Sequence, residues 1–365
     1  LSEWVKTGKI CCPTDGVRKP KTPSGSAVAI ANEVADGIRR RRILALMLGD
    51  TSMGMTNGYF GSRLLSLVGF AEHKVDQAWI IDRGRGISAE RIKAAYQFVV
   101  DQGITFHYDK RGEGDFNAAA TKEQLRDYLT VVDLVNEFKA DCVGWQYQLG
   151  LINLRPPSDF AEGLLNSACR PETNGEVIID STEAEQGNLI PMELMKRLLK
   201  AKGLHPSVMF HDVRWGGDYN GRFLWLLLNS GSSGAYAFNH DPESLRGVHS
   251  YRQPAGYFPV PGGTFSGESL PGKITWARAW MRNDELWMDV GRGNVVAMDP
   301  KTRDKWWKGT TREWPFMAAD LSMSRDLLMA QYMSNHIAVA YGDICDEMVS
   351  LSKTLGFKVR TLSDT

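Results

Sequence analysis

The sequence predicts an α/β protein in which a doubly wound parallel sheet domain is followed by a mostly antiparallel β domain. Between residues 43 and 200, short apolar runs alternate with longer segments whose apolar residues recur at helical spacing. Ile43–Leu48 and Cys142–Tyr147 are such runs, whereas Lys122–Phe138 has the pattern of an amphipathic helix. Repeated strand–helix pairs of this kind are typical of a parallel sheet covered by helices.

The second half of the chain has a different pattern. Phe223–Leu228 predicts a buried strand, and Thr275–Met281 and Leu286–Val290 flank Asn283-Asp284 as the two arms of a hairpin would. This half is therefore predicted to be mostly antiparallel. We expect most of its tryptophans to serve the core and one or two to reach a cleft. They stand at positions 276, 280, 287, 306, 307 and 314.

The predicted domain boundaries follow these changes of pattern. We expect an N-terminal arm and helix over 1–42, a Rossmann-like α/β domain over 43–200 and a mostly β domain over 201–365. Residues 1–27 are rich in glycine and proline, which favours an extended arm over a packed element.

Composition excludes several classes of protein. The 43 Lys and Arg residues balance the 43 Asp and Glu residues, so no net charge attracts the chain to nucleic acid or to a membrane surface. No apolar run of about 18 residues predicts a membrane span, and the first residues lack the pattern of a secretory signal. The five cysteines fit neither a disulfide framework nor a zinc motif, so we expect reduced thiols in a cytoplasmic protein.

The stretch from Val177 to Arg214 predicts the functional site. Two apolar runs, at 177–179 and 208–210, are each followed by acidic residues, and the segment between them has helical spacing. Because ligands bind beyond the carboxyl ends of parallel strands, a strand–helix–strand unit would gather these acidic side chains at one edge of the sheet. They are Glu183, Glu185 and Asp212.

Two interpretations of these carboxylates stay open on the residues alone. Like charges in a low-dielectric crevice need cations or shared protons, and a hard divalent cation is the simplest partner. The alternative is a salt-bridged loop in which Arg214 and Lys196 are the counter-ions.

The turn from Gly49 to Gly58 is rich in glycine and hydroxyl groups. It lacks the Lys-Ser/Thr pair that ends a nucleotide-binding P-loop, and it does not have the dinucleotide fingerprint. We therefore expect no nucleotide site there, although the turn could line a polar pocket.

An ordered set of separated motifs resembles the L-fucose isomerase family, and the resemblance covers Ile43 to Leu362. The motifs are Gly49-Asp-Thr-Ser-Met-Gly-Met55, Gln146 to Asn166-Ser167, Thr182-Glu183, Phe210-His-Asp-Val-Arg214, Asn229-Ser-Gly-Ser232 and Ser334-Asn-His336. The resemblance implies a metal-dependent aldose–ketose isomerase that acts through a cis-enediol on a deoxy-hexose or pentose, of the L-fucose or D-arabinose type.

The resemblance also implies roles for particular side chains. Glu183, Asp212 and His336 would bind Mn²⁺, with Mg²⁺ or another divalent cation as the alternative. The two carboxylates would also exchange protons with the sugar. Hydroxyl-binding roles go to Gln146, Ser230 and Asn335, and Arg214 would orient the carboxylates. His211 is not assigned to the metal, because its side chain should point to the opposite face of its strand from Asp212.

The family's pockets are built from several subunits, so a homo-oligomer is expected. Family members carry a further α/β domain before the stretch equivalent to Ile43, where this chain has only about forty residues. Either a companion chain or a missing portion supplies that domain, or the pocket is more open and the substrate differs. Two other classes of function stay open: a carbohydrate epimerase or lyase with the same metal–enediolate chemistry, and a non-catalytic sugar-binding subunit on the same scaffold.

Overall fold

The computed structural model describes residues 2–8, 14–50, 56–108, 115–173 and 175–363. Two parts of the features predicted above lie outside the described residues, namely 9–13 of the N-terminal arm and Thr51–Met55 of the glycine-rich turn.

The described residues form helices and strands in alternation. The helices are α1 (Ser2–Thr7), α2 (Gly25–Arg40), α3 (Gly61–Leu67), α4 (Ala78–Gly84), α5 (Ala89–Asp101), α6 (Ala118–Phe138), α7 (Asp159–Leu165), α8 (Gln186–Ala201), α9 (Tyr236–Asn239), α10 (Pro300–Lys308), α11 (Arg325–Gln331) and α12 (Cys345–Leu355). The strands are β1 (Val17–Arg18), β2 (Ile43–Leu48), β3 (Phe70–Val75), β4 (Thr105–Phe106), β5 (Cys142–Trp145), β6 (Ile179–Thr182), β7 (Val208–Tyr219), β8 (Arg222–Leu228), β9 (His249–Ser250), β10 (Gly272–Arg282), β11 (Glu285–Val295), β12 (Met317–Asp320), β13 (His336–Tyr341) and β14 (Lys358–Leu362). None of the described helices has the length and apolar character needed to cross a bilayer.

A four-stranded parallel sheet with the strand order β3-β2-β5-β6 forms the first part of the molecule. Its central strand β2 is buried on both faces: Leu46 and Leu48 pack into one apolar core, and Ala45 and Met47 pack into another. Burial on both faces explains why this strand is continuously apolar in sequence. The predicted α/β class with a parallel sheet is confirmed, while the doubly wound arrangement stays a prediction.

An eight-stranded, mostly antiparallel sheet forms the second part, in the order β1-β14-β11-β10-β13-β7-β8-β12. Strand β12 also pairs with β11, so six of the strands close into a ring. The predicted hairpin is confirmed as β10–β11, and its two turn residues, Asn283 and Asp284, have φ of 54° and 60°. Positive φ at both positions is what a tight two-residue hairpin turn requires.

Helix α8 lies between the two sheets. It packs on β5 and β6 of the parallel sheet and on β7, β10 and β13 of the ring. Thirteen of its sixteen residues are buried, as expected for a helix that is covered on nearly all sides. The N-terminus of α8 therefore stands at the junction of sheet and ring.

The predicted strand–helix–strand unit over Val177–Arg214 is wrong in one respect. Strand β6 and helix α8 are present, but β7 does not join the parallel sheet; it pairs antiparallel with β13 and β8. The reason is the length of β7, which continues beyond Arg214 to Tyr219 and forms a hairpin with β8. A short apolar run followed by acidic residues has the same pattern in either kind of sheet.

The prediction of an unpacked arm over residues 1–27 is also wrong in part. Residues 2–7 are helical, and Val17 and Arg18 pair with Leu362 and Thr361 of β14. The backbone of Gly16 packs so closely on Leu327 that a side chain there would collide with it.

Substituting Gly291 should test the packing inside the ring. Gly291 of β11 stands opposite the fully buried Trp276 of β10, and a Cβ atom at this glycine would collide with the indole. We expect Gly291→Ala to lower the free energy of unfolding by about 1–3 kcal/mol, the usual cost of overpacking. The measurement is the urea-unfolding midpoint. The matched control is Gly256→Ala, where the added Cβ has open space; equal midpoints for the two variants would contradict the packing.

Candidate active site

A cavity of about 510 Å³ lies where the parallel sheet meets the ring. Six of the seven side chains predicted to form the site line it, and Gln146 does not. Its lining residues are Gln148, Leu149, Ile152, Thr182, Glu183, Asp212, Arg214, Ser230, Tyr257, Phe258, Trp314, Asn335 and His336.

Glu183, Asp212 and His336 converge on this cavity from three elements. Asp212 and His336 are direct cross-strand partners on β7 and β13, so the register of the ring places them side by side. Nε2 of His336 lies 3.2 Å from Oδ1 of Asp212 and 3.8 Å from Oε2 of Glu183. Glu183 arrives from the other sheet, in the turn between β6 and α8.

The turn that carries Glu183 has an unusual backbone. Glu183 and Ala184 have φ of 60° and 53°, in the left-handed region that residues with a side chain seldom adopt. The hydroxyl of Ser181 donates to the carbonyl of Glu185 at 2.7 Å and so bridges the turn. Such strain persists where surrounding contacts hold it, and here it directs a carboxylate into the cavity.

The pKa values of these groups reflect burial and mutual charge. Burial raises the pKa of Glu183 to about 7; the positive charge of His336 opposes this shift, and Asp212 adds to it. Burial by itself lowers the pKa of His336, but the charge and hydrogen bond of Asp212 outweigh burial and leave the pKa above its ordinary value.

The donor set fits a divalent cation in kind. Two carboxylates and an imidazole suit Mn²⁺, and Oε2 of Glu183 is buried without a hydrogen bond from any described residue. As the side chains stand, however, no group of three His, Cys, Asp or Glu within the described ranges is arranged to hold an ion.

The opposite wall of the cavity is cationic and aromatic. Arg214 pairs with Asp212 at 2.8 Å, and its guanidinium lies 5.1 Å from the ring centroid of Trp314. Of the two counter-ions in the salt-bridge interpretation, Arg214 is therefore present, whereas Lys196 pairs with Glu193 on α8 at 2.6 Å. Trp314 is the one of the six C-terminal tryptophans that lines this cavity.

Gln146 lies in a neighbouring cavity of about 500 Å³, beyond the ends of β2, β3 and β5. Its amide oxygen accepts a hydrogen bond from Gln77 at 2.7 Å. Gln148 lines the main cavity instead, and its amide donates to Oε1 of Glu183 at 3.3 Å. The chain turns at Tyr147, where φ is 52°, so the two glutamines point into different cavities. Leu149 borders both cavities.

Glu185 and His211 do not line the cavity. Glu185 was expected to gather with Glu183 and Asp212, but it forms a fully buried ion pair with Arg278 of β10 at 2.5 Å. Sequence reasoning gave no role to Arg278, which lies 93 residues away. His211 is fully buried, and burial lowers the pKa of its imidazole to about 4.

Three buried carboxyl groups, those of Asp159, Glu162 and Asp180, stand behind the cavity wall. Glu162 hydrogen-bonds Thr182, and Asp159 hydrogen-bonds Ser230, both of which line the cavity. Among the described residues, no Lys or Arg forms an ion pair with any of the three. Burial therefore raises the pKa of all three groups, to about 7 for Glu162.

Fold and site together define a protein with a parallel α/β sheet and an antiparallel ring, joined at a cleft that contains two carboxylates and an imidazole. The sequence model of the family described as L-fucose isomerase, C-terminal domain, matches residues 227–363. At the level of this domain the chain is similar to the L-fucose isomerases, which suggests a function related to sugar isomerisation. The match includes Ser230, Asn335 and His336, whereas Glu183 and Asp212 precede it. A comparison with curated proteins found no relative of the chain.

The raised pKa of Glu162 predicts how stability depends on pH. The folded protein holds this proton more tightly than the unfolded chain, so its contribution is complete below about pH 4.5 and is lost as the pH rises through about 7. Glu162→Gln removes this dependence. Over that interval, the variant should gain on the order of 3 kcal/mol relative to the wild type, at about 1.4 kcal/mol per pKa unit.

Unfolding free energies of the wild type and Glu162→Gln across this pH range measure the effect. Glu90→Gln, at an exposed position in the first turn of α5, is the control and should parallel the wild type. A constant difference between Glu162→Gln and the wild type at every pH would contradict the assignment.

Proposed function

We propose that this protein is a metal-dependent aldose–ketose isomerase that acts on a deoxy-hexose or pentose, of the L-fucose or D-arabinose type, through a cis-enediol. The observation that carries the proposal is the approach of Glu183 and Asp212 to Nε2 of His336, at 3.8 and 3.2 Å, in a cavity of about 510 Å³. The family match, which includes His336, supports the same class of chemistry.

Glu183, Asp212 and His336 would hold the cation, Mn²⁺ or alternatively Mg²⁺ or another divalent ion. When bound, such an ion supplies a Lewis acid that stabilises negative charge on two adjacent sugar oxygens. The side chains that remain free around it must bind the rest of the sugar and move protons.

The reaction moves one proton from C2 to C1 of the sugar and one between the oxygens O2 and O1. A carboxylate takes the proton from C2, which leaves a cis-enediol, and the same group returns a proton to C1. Glu183 and Asp212 are the candidates for this exchange, because both carboxylates reach the cavity. Arg214 orients Asp212 through their 2.8 Å ion pair.

Polar side chains on the cavity wall would bind the sugar hydroxyls. Ser230 and Asn335 line the cavity as the resemblance implies, and Gln148 adds an amide that both donates and accepts. The same role for Gln146 requires a ligand that extends past Leu149 into the neighbouring cavity. Tyr257, Phe258 and Trp314 provide an apolar wall against which a sugar ring or methyl group can pack.

Incubation of the Mn²⁺-loaded protein with a panel of aldoses in deuterated water tests the proposal directly. An isomerase forms ketose and incorporates deuterium from solvent at C1. Deuterium incorporation with products other than ketose would indicate an epimerase or a lyase. The absence of both product and deuterium would contradict an enzymatic function.

Removing the carboxylate of Glu183 should abolish turnover and preserve the fold. We expect Glu183→Gln to lower kcat on the order of 10²- to 10⁴-fold, the usual contribution of a general acid–base group. The measurement is ketose formation together with circular dichroism. Glu172→Gln is the control, because Glu172 pairs with Arg91 and does not line the cavity. Undiminished turnover by Glu183→Gln would refute its assigned role.

Chelation should remove activity reversibly. Treatment with EDTA is expected to abolish ketose formation, and Mn²⁺ should restore it. An ion that binds only the folded protein raises the unfolding free energy by about 2.7 kcal/mol at a hundredfold excess over Kd, so Mn²⁺ should also raise Tm. His336→Ala should lose this rise in Tm. A rise of the same size in that variant would show that the ion binds elsewhere.

A further inference from the structure

The ion pair between Glu185 and Arg278 is closed off from solvent. Both side chains have no exposed surface, and the guanidinium binds the carboxylate through two contacts, Nη1 to Oε2 at 2.5 Å and Nη2 to Oε1 at 2.6 Å. Nη1 also donates to Oδ1 of Asn188 at 3.2 Å. Backbone surrounds the pair, because an added Cβ at Gly187 or at Gly58 would collide with it. The carboxylate of Glu185 therefore has one fixed position.

That position is next to the imidazole of His336. Oε2 of Glu185 lies 4.0 Å from Nδ1 of His336, whereas Nε2 faces Asp212 at 3.2 Å. Nδ1 is buried and makes no hydrogen bond to any described residue. The imidazole thus has one nitrogen toward the cavity and the other toward a carboxylate that cannot move.

Glu185 also anchors the turn that carries Glu183. Its carboxylate accepts from the backbone amides of Gly187 and Asn188, at 3.2 and 2.8 Å, and so caps the N-terminus of α8. Its carbonyl accepts from Ser181. The residue therefore holds the far end of the strained turn at Glu183 and Ala184.

Stability alone does not account for this ion pair. Taking two charges out of water costs about as much as their attraction returns, so well-packed apolar residues often serve a buried site equally well. What an apolar pair cannot supply is a negative charge at a fixed distance from Nδ1. A carboxylate behind a ligating histidine keeps the proton on that nitrogen and leaves the other nitrogen free to bind a metal.

We infer that Glu185, clamped by Arg278, is a positioning residue that orients His336 so that Nε2 presents its lone pair to the cavity and Nδ1 keeps its proton. The inference rests on the proposed function, since it concerns the same metal site. It assigns Glu185 to the histidine and Arg278 to Glu185, with neither side chain touching the ion.

The test compares Mn²⁺ binding by the full chain in four forms, with electron paramagnetic resonance of free Mn²⁺ as the readout. Glu185→Gln leaves the charge of Arg278 unpaired and can unfold the protein, so the informative variant is the double substitution Glu185→Gln/Arg278→Met. The glutamine oxygen still caps α8, while both charges are gone. The matched control is Glu193→Gln, which changes another fully buried, ion-paired carboxylate of the same helix away from the cavity. The fourth form is the wild type.

We expect the double variant to fold and to bind Mn²⁺ about 10- to 100-fold more weakly than the wild type, the usual effect of losing such a partner. Glu193→Gln should retain the wild-type Kd. A folded double variant with the wild-type Kd would overturn the inference, and so would an equal loss of affinity in the control.

Proton NMR of the Co²⁺-substituted protein provides a signature that a merely structural role would not change. In the wild type, an imidazole bound through Nε2 should show one shifted Nδ1–H resonance that exchanges slowly with solvent. In the double variant this resonance should shift or exchange faster, and an unchanged resonance would count against the inference. Mn²⁺ binding without ketose formation would refute the proposed function alone, whereas the absence of Mn²⁺ binding by the wild type would overturn both.

Discussion

Burial of helix α8 is the constraint on which the two halves of the molecule depend. The helix packs on the parallel sheet on one side and on the ring on the other, so neither sheet covers its apolar residues by itself. Its N-terminus is the only part of it that approaches the cavity, through the turn at Glu183. The partial positive charge of a helix N-terminus favours the carboxylates of Glu183 and Glu185 at this position. Packing and chemistry therefore meet at a single turn.

The arrangement of the cavity follows from this geometry. The turn before α8 supplies Glu183, while two neighbouring strands of the ring supply Asp212 and His336. The distance between the two sheets thus sets the distance between the carboxylates. Glu185 and Arg278 connect the same two bodies a few ångströms away, without solvent between them.

The elements predicted best from sequence are those in which one local pattern decides the structure. The hairpin at Asn283-Asp284 and the continuously apolar strand β2 are of this kind. Strand β7 was assigned to the wrong sheet, because its first residues have a pattern common to both sheets and its partner β13 begins more than a hundred residues later. For the site, the family resemblance named six side chains that line one cavity. Gln146 and Glu185 could not be placed, since their surroundings depend on the positive φ of Tyr147 and on Arg278 in a distant strand.

The ring of six strands has a consequence for association between molecules. An unpaired strand edge offers backbone amides and carbonyls to other chains and is a common origin of aggregation. In this ring each strand has a neighbour on both sides, because β12 bonds both β8 and β11. The sheet continues outward only through β14, and Val17 and Arg18 cover part of its outer edge. The N-terminal segment thus works as a guard strand, protecting the one border of the sheet that closure of the ring leaves open.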